Sequence, residues 1–108
     1  MDKKISKTLK KFKSALEAAG IKVDRIILFG SYAMGNAREG SDIDVAVISE
    51  DFKDMNLLQR LETIGFALGK AKIMEPIEAL GYTKKEFASK NRGSFIGDEV
   101  KPKGVTVA

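Results

Sequence analysis

Two acidic residues stand at the start of the second of two apolar runs that bound the segment 26–48. Asp42 and Asp44 flank Ile43 at the start of a β-branched run that ends at Ile48. Because side chains alternate along a strand, both carboxylates are expected on one face. They repel each other, which is unfavourable unless a cation binds between them. Carboxylate oxygens suit Mg²⁺ and Mn²⁺, so the pair predicts a divalent-metal site.

A glycine-serine pair stands at the other end of the same segment. Residues 26–29 are apolar and predict a buried strand that ends at Gly30. A glycine at this point lets the backbone approach a ligand closely. Ser31 is a favourable N-cap for a helical turn over residues 32–34, whose N–H groups can bind phosphate. The segment therefore predicts a phosphate site near a metal site, a combination that indicates nucleotide chemistry.

Gly30-Ser31, ten residues, and Asp42-x-Asp44 together resemble the signature of the polymerase-β-like nucleotidyltransferase superfamily. The string GSYAMGNAREGSDIDVAVI is similar to the minimal nucleotidyltransferase branch over the whole loop, including Ser41 before the first acid. The resemblance implies an α/β (α+β) fold with a small mixed sheet flanked by helices. It also implies ATP as substrate, Mg²⁺ or Mn²⁺ held by catalytic Asp42 and Asp44, and nucleotide contacts from Gly30, Ser31 and Ser41.

Metal-dependent nucleotidyl transfer calls for a third acid on a neighbouring strand. The predicted third strand, residues 73–80, carries Glu75 and Glu78, with Pro76 indicating an edge strand or a bulge. Their odd spacing places them on opposite faces of a regular strand, so at most one joins the site unless a bulge changes the register. In similar minimal proteins an acid precedes a stretch like residues 81–87. A gap-free match implies Glu78 as the catalytic and metal-binding acid, with Glu75 as the alternative.

The resemblance also implies a reaction and a partner. Minimal nucleotidyltransferases are commonly encoded beside HEPN-domain proteins as type VII toxin–antitoxin pairs, in which AMP from ATP is transferred to a tyrosine of the toxin. A metal-dependent protein adenylyltransferase in a hetero-oligomer with a HEPN-domain protein is therefore expected. One alternative is a non-catalytic, nucleotide-binding subunit that neutralises a HEPN partner sterically. Another is an RNA or small-molecule nucleotidyltransferase completed by a partner subunit.

Composition limits the other classes of function. The 108 residues, 44% of them apolar, predict one domain over 1–108 with a modest core. Without cysteine or histidine, the chain has no thiol nucleophile, disulfide or imidazole base. No run could span a bilayer and no export signal is evident, which favours the cytoplasm. The net charge of +4 is concentrated in a lysine-rich N-terminus without interleaved aromatics, so direct nucleic-acid binding is not expected. This basic surface is a solvated helix face, or it meets an acidic partner surface or RNA phosphates.

Hydrophobic periodicity predicts the remaining elements. Residues 4–19 form an amphipathic helix ended by Gly20, and the two central strands pair antiparallel. A second helix begins near Met55 and stops at Gly69. Its predicted buried stripe consists of leucines and one isoleucine: Leu57, Leu61, Ile64 and Leu68.

The C-terminal part of the chain contains one strong helix signal. Thr83 caps a short helix over residues 84–89 and pairs with Glu86 in a capping box. A further short helix from Ser94 to about residue 100 and a final strand over residues 105–107 are also expected.

Overall fold

The two apolar runs form the central strands of a four-stranded mixed sheet. The computed structural model describes residues 3–89 and 104–107. Its elements in chain order are α1 (Lys3–Ala18), β1 (Arg25–Phe29), α2 (Ser31–Met34), β2 (Ile43–Ile48), a 3₁₀ turn (Glu50–Phe52), α3 (Leu57–Lys70), β3 (Ile77–Tyr82), α4 (Lys84–Ser89) and β4 (Val105–Thr106). The predicted α/β class is confirmed. The helix expected from Ser94 lies outside the described residues.

The strand order is β3-β2-β1-β4. The antiparallel pairing of β1 with β2 is confirmed, and β4 pairs antiparallel with the other side of β1. β3 pairs parallel with β2, and α3 provides the crossover that a parallel pair requires. β3 is thus the edge strand that Pro76 indicated, and it stands next to the strand that carries Asp44.

The two faces of β2 contact different parts of the molecule. Ile43, Val45 and Val47 belong to the main core, which α1 and α3 cover. Ala46 and Ile48 point to the opposite face, where Phe87 of α4 packs. Because Asp44 alternates with Ile43 and Val45, it belongs to this second face. Within residues 3–89 and 104–107, none of the helices has both the length and the apolar character needed to cross a bilayer.

The first helix matches its prediction closely. Ile5, Leu9, Phe12 and Leu16 are buried in the core, as the periodicity predicts. Gly20 follows the helix with φ +92°, a left-handed conformation that glycine adopts without strain.

The predicted buried stripe of α3 is wrong at two positions. Ile64 is buried and Leu68 packs at the edge of the core, but Leu57 and Leu61 are exposed. The helix buries Ala67 instead, and it turns Arg60 inward to meet Glu86 and three backbone carbonyls. These long-range hydrogen bonds set the rotation of the helix about its axis.

Two predicted element boundaries also differ from the structure. α3 continues through Gly69 to Lys70, and the chain reverses at Lys72 with φ +55°. β3 begins at Ile77 instead of residue 73, because Pro76 has no N–H to donate to a ladder. Glu75 therefore lies before the strand.

Candidate active site

The carboxylate of Asp44 lies directly against the backbone of Gly30. Gly30 joins β1 to α2 with φ +71°, and a Cβ atom at this position would lie 3.2 Å from the Asp44 Cγ. Any other residue would therefore be strained and would also displace the carboxylate. The glycine is needed for the close approach of one of the two aspartates, and the predicted approach of a ligand to Gly30 stays a prediction.

Glu78 is the cross-strand neighbour of Asp44. The parallel register of β2 and β3 sets the two residues side by side, and Phe29 of β1 is the partner of Asp44 on its other side. Asp44 is half-buried and Glu78 is exposed. Burial raises the pKa of Asp44 to about 6, and a hydrogen bond with Glu78 and the charges of Glu78 and Asp42 add to the rise.

Asp42 precedes β2 and is exposed. Its charge contributes to the raised pKa of Asp44, so its field reaches the Asp44–Glu78 pair. The structure thus brings Asp42, Asp44 and Glu78 to the end of the sheet at which β2 and β3 begin.

Glu75 belongs to a different environment. Its carboxylate accepts a hydrogen bond of 3.2 Å from the Thr8 hydroxyl of α1. Hydrogen bonds from its own backbone and from Thr8, together with the charge of Lys11, lower its pKa. The two candidate acids are separated by this placement, with Glu78 beside Asp44 and Glu75 against α1.

The turn after β1 differs in one detail from its prediction. Ser31 is the first residue of α2, while Gly30 occupies the N-cap position and no side chain caps the helix. The backbone N–H groups at the start of a helix have no acceptor within it. Those of Ser31 and Tyr32 are therefore suited to an anionic oxygen next to the Asp44 carboxylate.

Ser41 closes the loop that leads into the first acid. Its hydroxyl oxygen accepts the Arg38 N–H at 2.8 Å, and its own N–H donates to the Arg38 carbonyl at 2.9 Å. Gly40 permits this tight turn with φ +82°. The turn fixes the backbone next to Asp42, and a nucleotide contact from Ser41 stays a prediction.

The donor set has the chemistry of a divalent-cation site. Burial and the neighbouring acids raise the pKa of Asp44, so its ionised form is unfavourable there, and a bound cation would offset that cost. Among the described residues, however, no group of three acidic side chains is already close enough together to hold a metal ion. Binding would require side-chain rotation, for which Asp42 and Glu78 are exposed. We conclude that the residues fit a cation with carboxylate ligands.

Comparison with known proteins identifies the family. The family model for the nucleotidyltransferase domain matches residues 5–102, which is most of the chain. The chain belongs to this family. A Methanocaldococcus jannaschii protein with the provisional name protein adenylyltransferase is 36% identical over 88 residues, or 80% of each chain. The resemblance seen in the sequence is confirmed, and the protein is a nucleotidyltransferase enzyme.

Solved structures share the fold of this nucleotidyltransferase. A crystal structure provisionally assigned as a Sulfolobus solfataricus nucleotidyltransferase superposes with a TM-score of 0.68 at 19% identity. The match covers 95% of this chain and 78% of the other. A toxin–antitoxin crystal structure with AMP-PNP matches with a TM-score of 0.62 at 22% identity, over 92% of this chain and 71% of that one.

A groove beside the acids was not predicted. It has a volume of about 440 Å³ and runs between α3 and β3 of the nucleotidyltransferase. Asp44 and Glu78 line it together with Leu61, Leu68 and Leu80. The sequence does not predict this groove, because its apolar periodicity places Leu61 in the core. The excess of leucines at the start of α3 was the available signal.

Proposed function

We propose that this nucleotidyltransferase transfers AMP from ATP to a tyrosine hydroxyl of a HEPN-type toxin and thereby acts as its antitoxin. The observation that carries the proposal is the approach of the Asp44 carboxylate to Gly30, with Glu78 alongside. It joins a carboxylate site for a cation to a turn suited to phosphate. The M. jannaschii relative is named for protein adenylyl transfer, and one structural relative is a toxin–antitoxin complex with AMP-PNP.

In the proposed reaction the acceptor hydroxyl attacks the α-phosphorus of ATP in line with the leaving pyrophosphate. A bond forms between the hydroxyl oxygen and phosphorus, and the bond to the bridging oxygen breaks with its electron pair going to pyrophosphate. The hydroxyl proton passes to Glu78, which is exposed beside Asp44. A divalent cation, Mg²⁺ or Mn²⁺, would be held by Asp42, Asp44 and Glu78 and would supply positive charge for the attacking and leaving oxygens.

The phosphate tail of ATP is assigned to the turn after β1. The N–H groups of Ser31 and Tyr32 would donate to the β- and γ-phosphate oxygens, and Gly30 lets those oxygens approach. Ser41 is assigned a donor role, since its oxygen already accepts the Arg38 N–H and its hydroxyl hydrogen can be donated to the nucleotide.

Transfer is tested by incubating the protein with labelled ATP and Mg²⁺, with and without the HEPN-type protein encoded beside it. Intact-mass spectrometry of both chains is the readout. One or more AMP units on a tyrosine of the partner are expected, and the double variant Asp42→Asn/Asp44→Asn should add none. Asp54→Asn, which changes an exposed acid outside the site, serves as control. Label found only on RNA or on a small molecule would contradict the proposal.

A second candidate is a subunit that neutralises its partner by binding alone. It is favoured by the lack of a preformed three-ligand cluster among the described residues. The same double variant separates the candidates in cells that co-express the toxin. Neutralisation that survives the substitutions supports steric action, whereas loss of neutralisation with the complex still intact supports adenylyl transfer.

A further inference from the structure

One flank of α3 is apolar and open to solvent. Leu57, Leu58 and Leu61 expose 67%, 62% and 46% of their surfaces. Three such leucines on adjacent turns form a continuous patch, because residues three and four apart are neighbours on a helix. They contribute little to the core of their own chain, so the patch indicates a binding surface.

This flank leads into the groove that ends at the catalytic acids. Leu61 belongs to both the exposed flank and the groove, whose other walls include Leu68 and Leu80. Asp44 and Glu78 are the charged side chains among the described residues that line it, and no lysine or arginine does. The groove is therefore apolar along its length and acidic where the reaction would occur.

Gly65 widens the groove without serving the fold. It lies within α3 and lines the groove, and a Cβ atom there would meet nothing within 4 Å. Glycine in a helix interior lowers stability relative to alanine. No contact within the described chain requires glycine here, so the space above it is available to another molecule.

We propose that this groove docks the protein acceptor by a segment that presents apolar side chains around the hydroxyl to be adenylylated. The inference rests on the proposed function and adds the surface that selects its substrate. A nucleic-acid acceptor would need basic side chains along the groove to bind its phosphates, and none of the described residues that line the groove is basic. An apolar peptide segment matches the leucines, and its hydroxyl would then reach Asp44 and Glu78.

The test compares two substitutions on the same helix. Leu61→Lys places a charge in the groove, whereas Phe66→Lys changes a more exposed apolar residue that lines a separate cleft against α1. The probe is the purified partner that accepts AMP in the experiment above, and KM for that partner and for ATP are both measured. Leu61→Lys should raise KM for the partner at least about tenfold, because the variant loses the apolar contact that Leu61 would make with the docked partner. KM for ATP should not change, and Phe66→Lys should match the wild type.

A second variant separates docking from stability. Gly65→Leu fills the groove and improves helix propensity, so it should raise the melting temperature while it raises KM for the partner. If Gly65 served the fold alone, its replacement would lower the melting temperature or leave KM for the partner unchanged.

Several outcomes would overturn the docking proposal. If the wild type transfers AMP and Leu61→Lys leaves KM for the partner unchanged, the acceptor docks elsewhere while the proposed function stands. If Leu61→Lys converts a dimer into a monomer in sedimentation, a second copy covers the flank instead. If the wild type modifies no protein, the proposed function fails first and the docking surface with it.

Discussion

Asp44 is the residue with the most unusual chemistry in the molecule. It is held against a glycine backbone on one side and beside a second carboxylate on the other. Its pKa of about 6 lies above the ordinary value of 3.8. Between these two pH values the folded protein therefore retains a proton that the unfolded chain has already released. Stability is therefore lost as the pH rises through about 6, the opposite of the usual behaviour of aspartate.

Asp44→Asn should stabilise the metal-free protein above the pKa of Asp44. At about pH 8 we expect a gain of about 1 kcal/mol in the free energy of unfolding, reduced for solvent screening of this half-buried group. The gain should shrink as the pH falls through about 6 toward 4, because the native carboxyl then becomes neutral. Urea unfolding over this range measures it. A gain that does not depend on pH would rule out charge as the cause.

Gly30→Ala should impair the site more than the fold. Its Cβ atom would crowd Asp44, and the backbone at φ +71° and ψ −154° lies in a region that glycine alone adopts readily, which adds strain of about 1–3 kcal/mol. We expect AMP transfer to fall about a hundredfold, because the carboxylate is displaced. Gly20→Ala after α1 is the control, with φ +92° but nothing within 4 Å of its Cβ position. Equal losses of activity in both variants would show that strain alone is responsible.

Two single glutamine substitutions, at Glu78 and at Glu75, test which residue is the third catalytic carboxylate. Glu78→Gln should lower the rate of AMP transfer about 10²- to 10⁴-fold if Glu78 accepts the proton. Glu75→Gln should keep most of the rate, because Glu75 contacts Thr8 instead of Asp44. Single-turnover kinetics with the partner protein compare the two. The reverse order of effects would transfer the role to Glu75.

Arg60 is the main connection between elements. It donates to the Phe52 and Met55 carbonyls at 2.8 and 3.0 Å and to the Gly81 carbonyl of β3 at 3.0 Å. It also forms a two-pronged ion pair with Glu86 of α4, at 2.6 and 2.9 Å. Glu86 in turn completes the predicted capping box with Thr83. One side chain therefore fixes α3, β3 and α4 relative to one another.

Arg60→Lys should destabilise the fold although it keeps the charge. A lysine cannot reproduce the two-pronged pair or reach all three carbonyls, so we expect a loss of about 2 kcal/mol in unfolding free energy. Urea denaturation measures it, with Arg38→Lys in an exposed loop as control. A loss no larger than that of the control would mean that Arg60 contributes little beyond its charge.

The larger core and the Asp44–Glu78 pair lie on opposite faces of the sheet. One face packs against α1 and α3 in the larger core, and the acids occupy the end of the other face. Because a cation would bind the folded state and not the unfolded chain, its binding should be visible in the stability of the whole molecule.

Mg²⁺ or Mn²⁺ should raise the melting temperature, and more at about pH 8 than at about pH 5, where Asp44 holds its proton because its pKa is raised to about 6. Differential scanning calorimetry with and without the metal measures the shift. Asp42→Asn/Asp44→Asn should abolish it, whereas Asp54→Asn should preserve it. An equal rise in the double variant would place the metal elsewhere.

The local features of the fold followed from the sequence alone. The apolar runs of β1 and β2, the core stripe of α1 and the capping box of α4 depend on residues close together in the chain, and all were predicted correctly. The placement of Asp42 and Asp44 on one face stays a prediction, because β2 begins at Ile43 and Asp42 precedes it.

Only the tertiary structure decided which distant groups meet. The register of β3 against β2 places Glu78, and not Glu75, beside Asp44, and no local pattern specifies a register between strands so far apart in sequence. The rotation of α3 depends on Arg60 bonding to Gly81 and Glu86, 21 and 26 residues away. Apolar periodicity cannot distinguish a leucine that faces the core from one that faces a partner, because burial lowers the free energy of the side chain in either case.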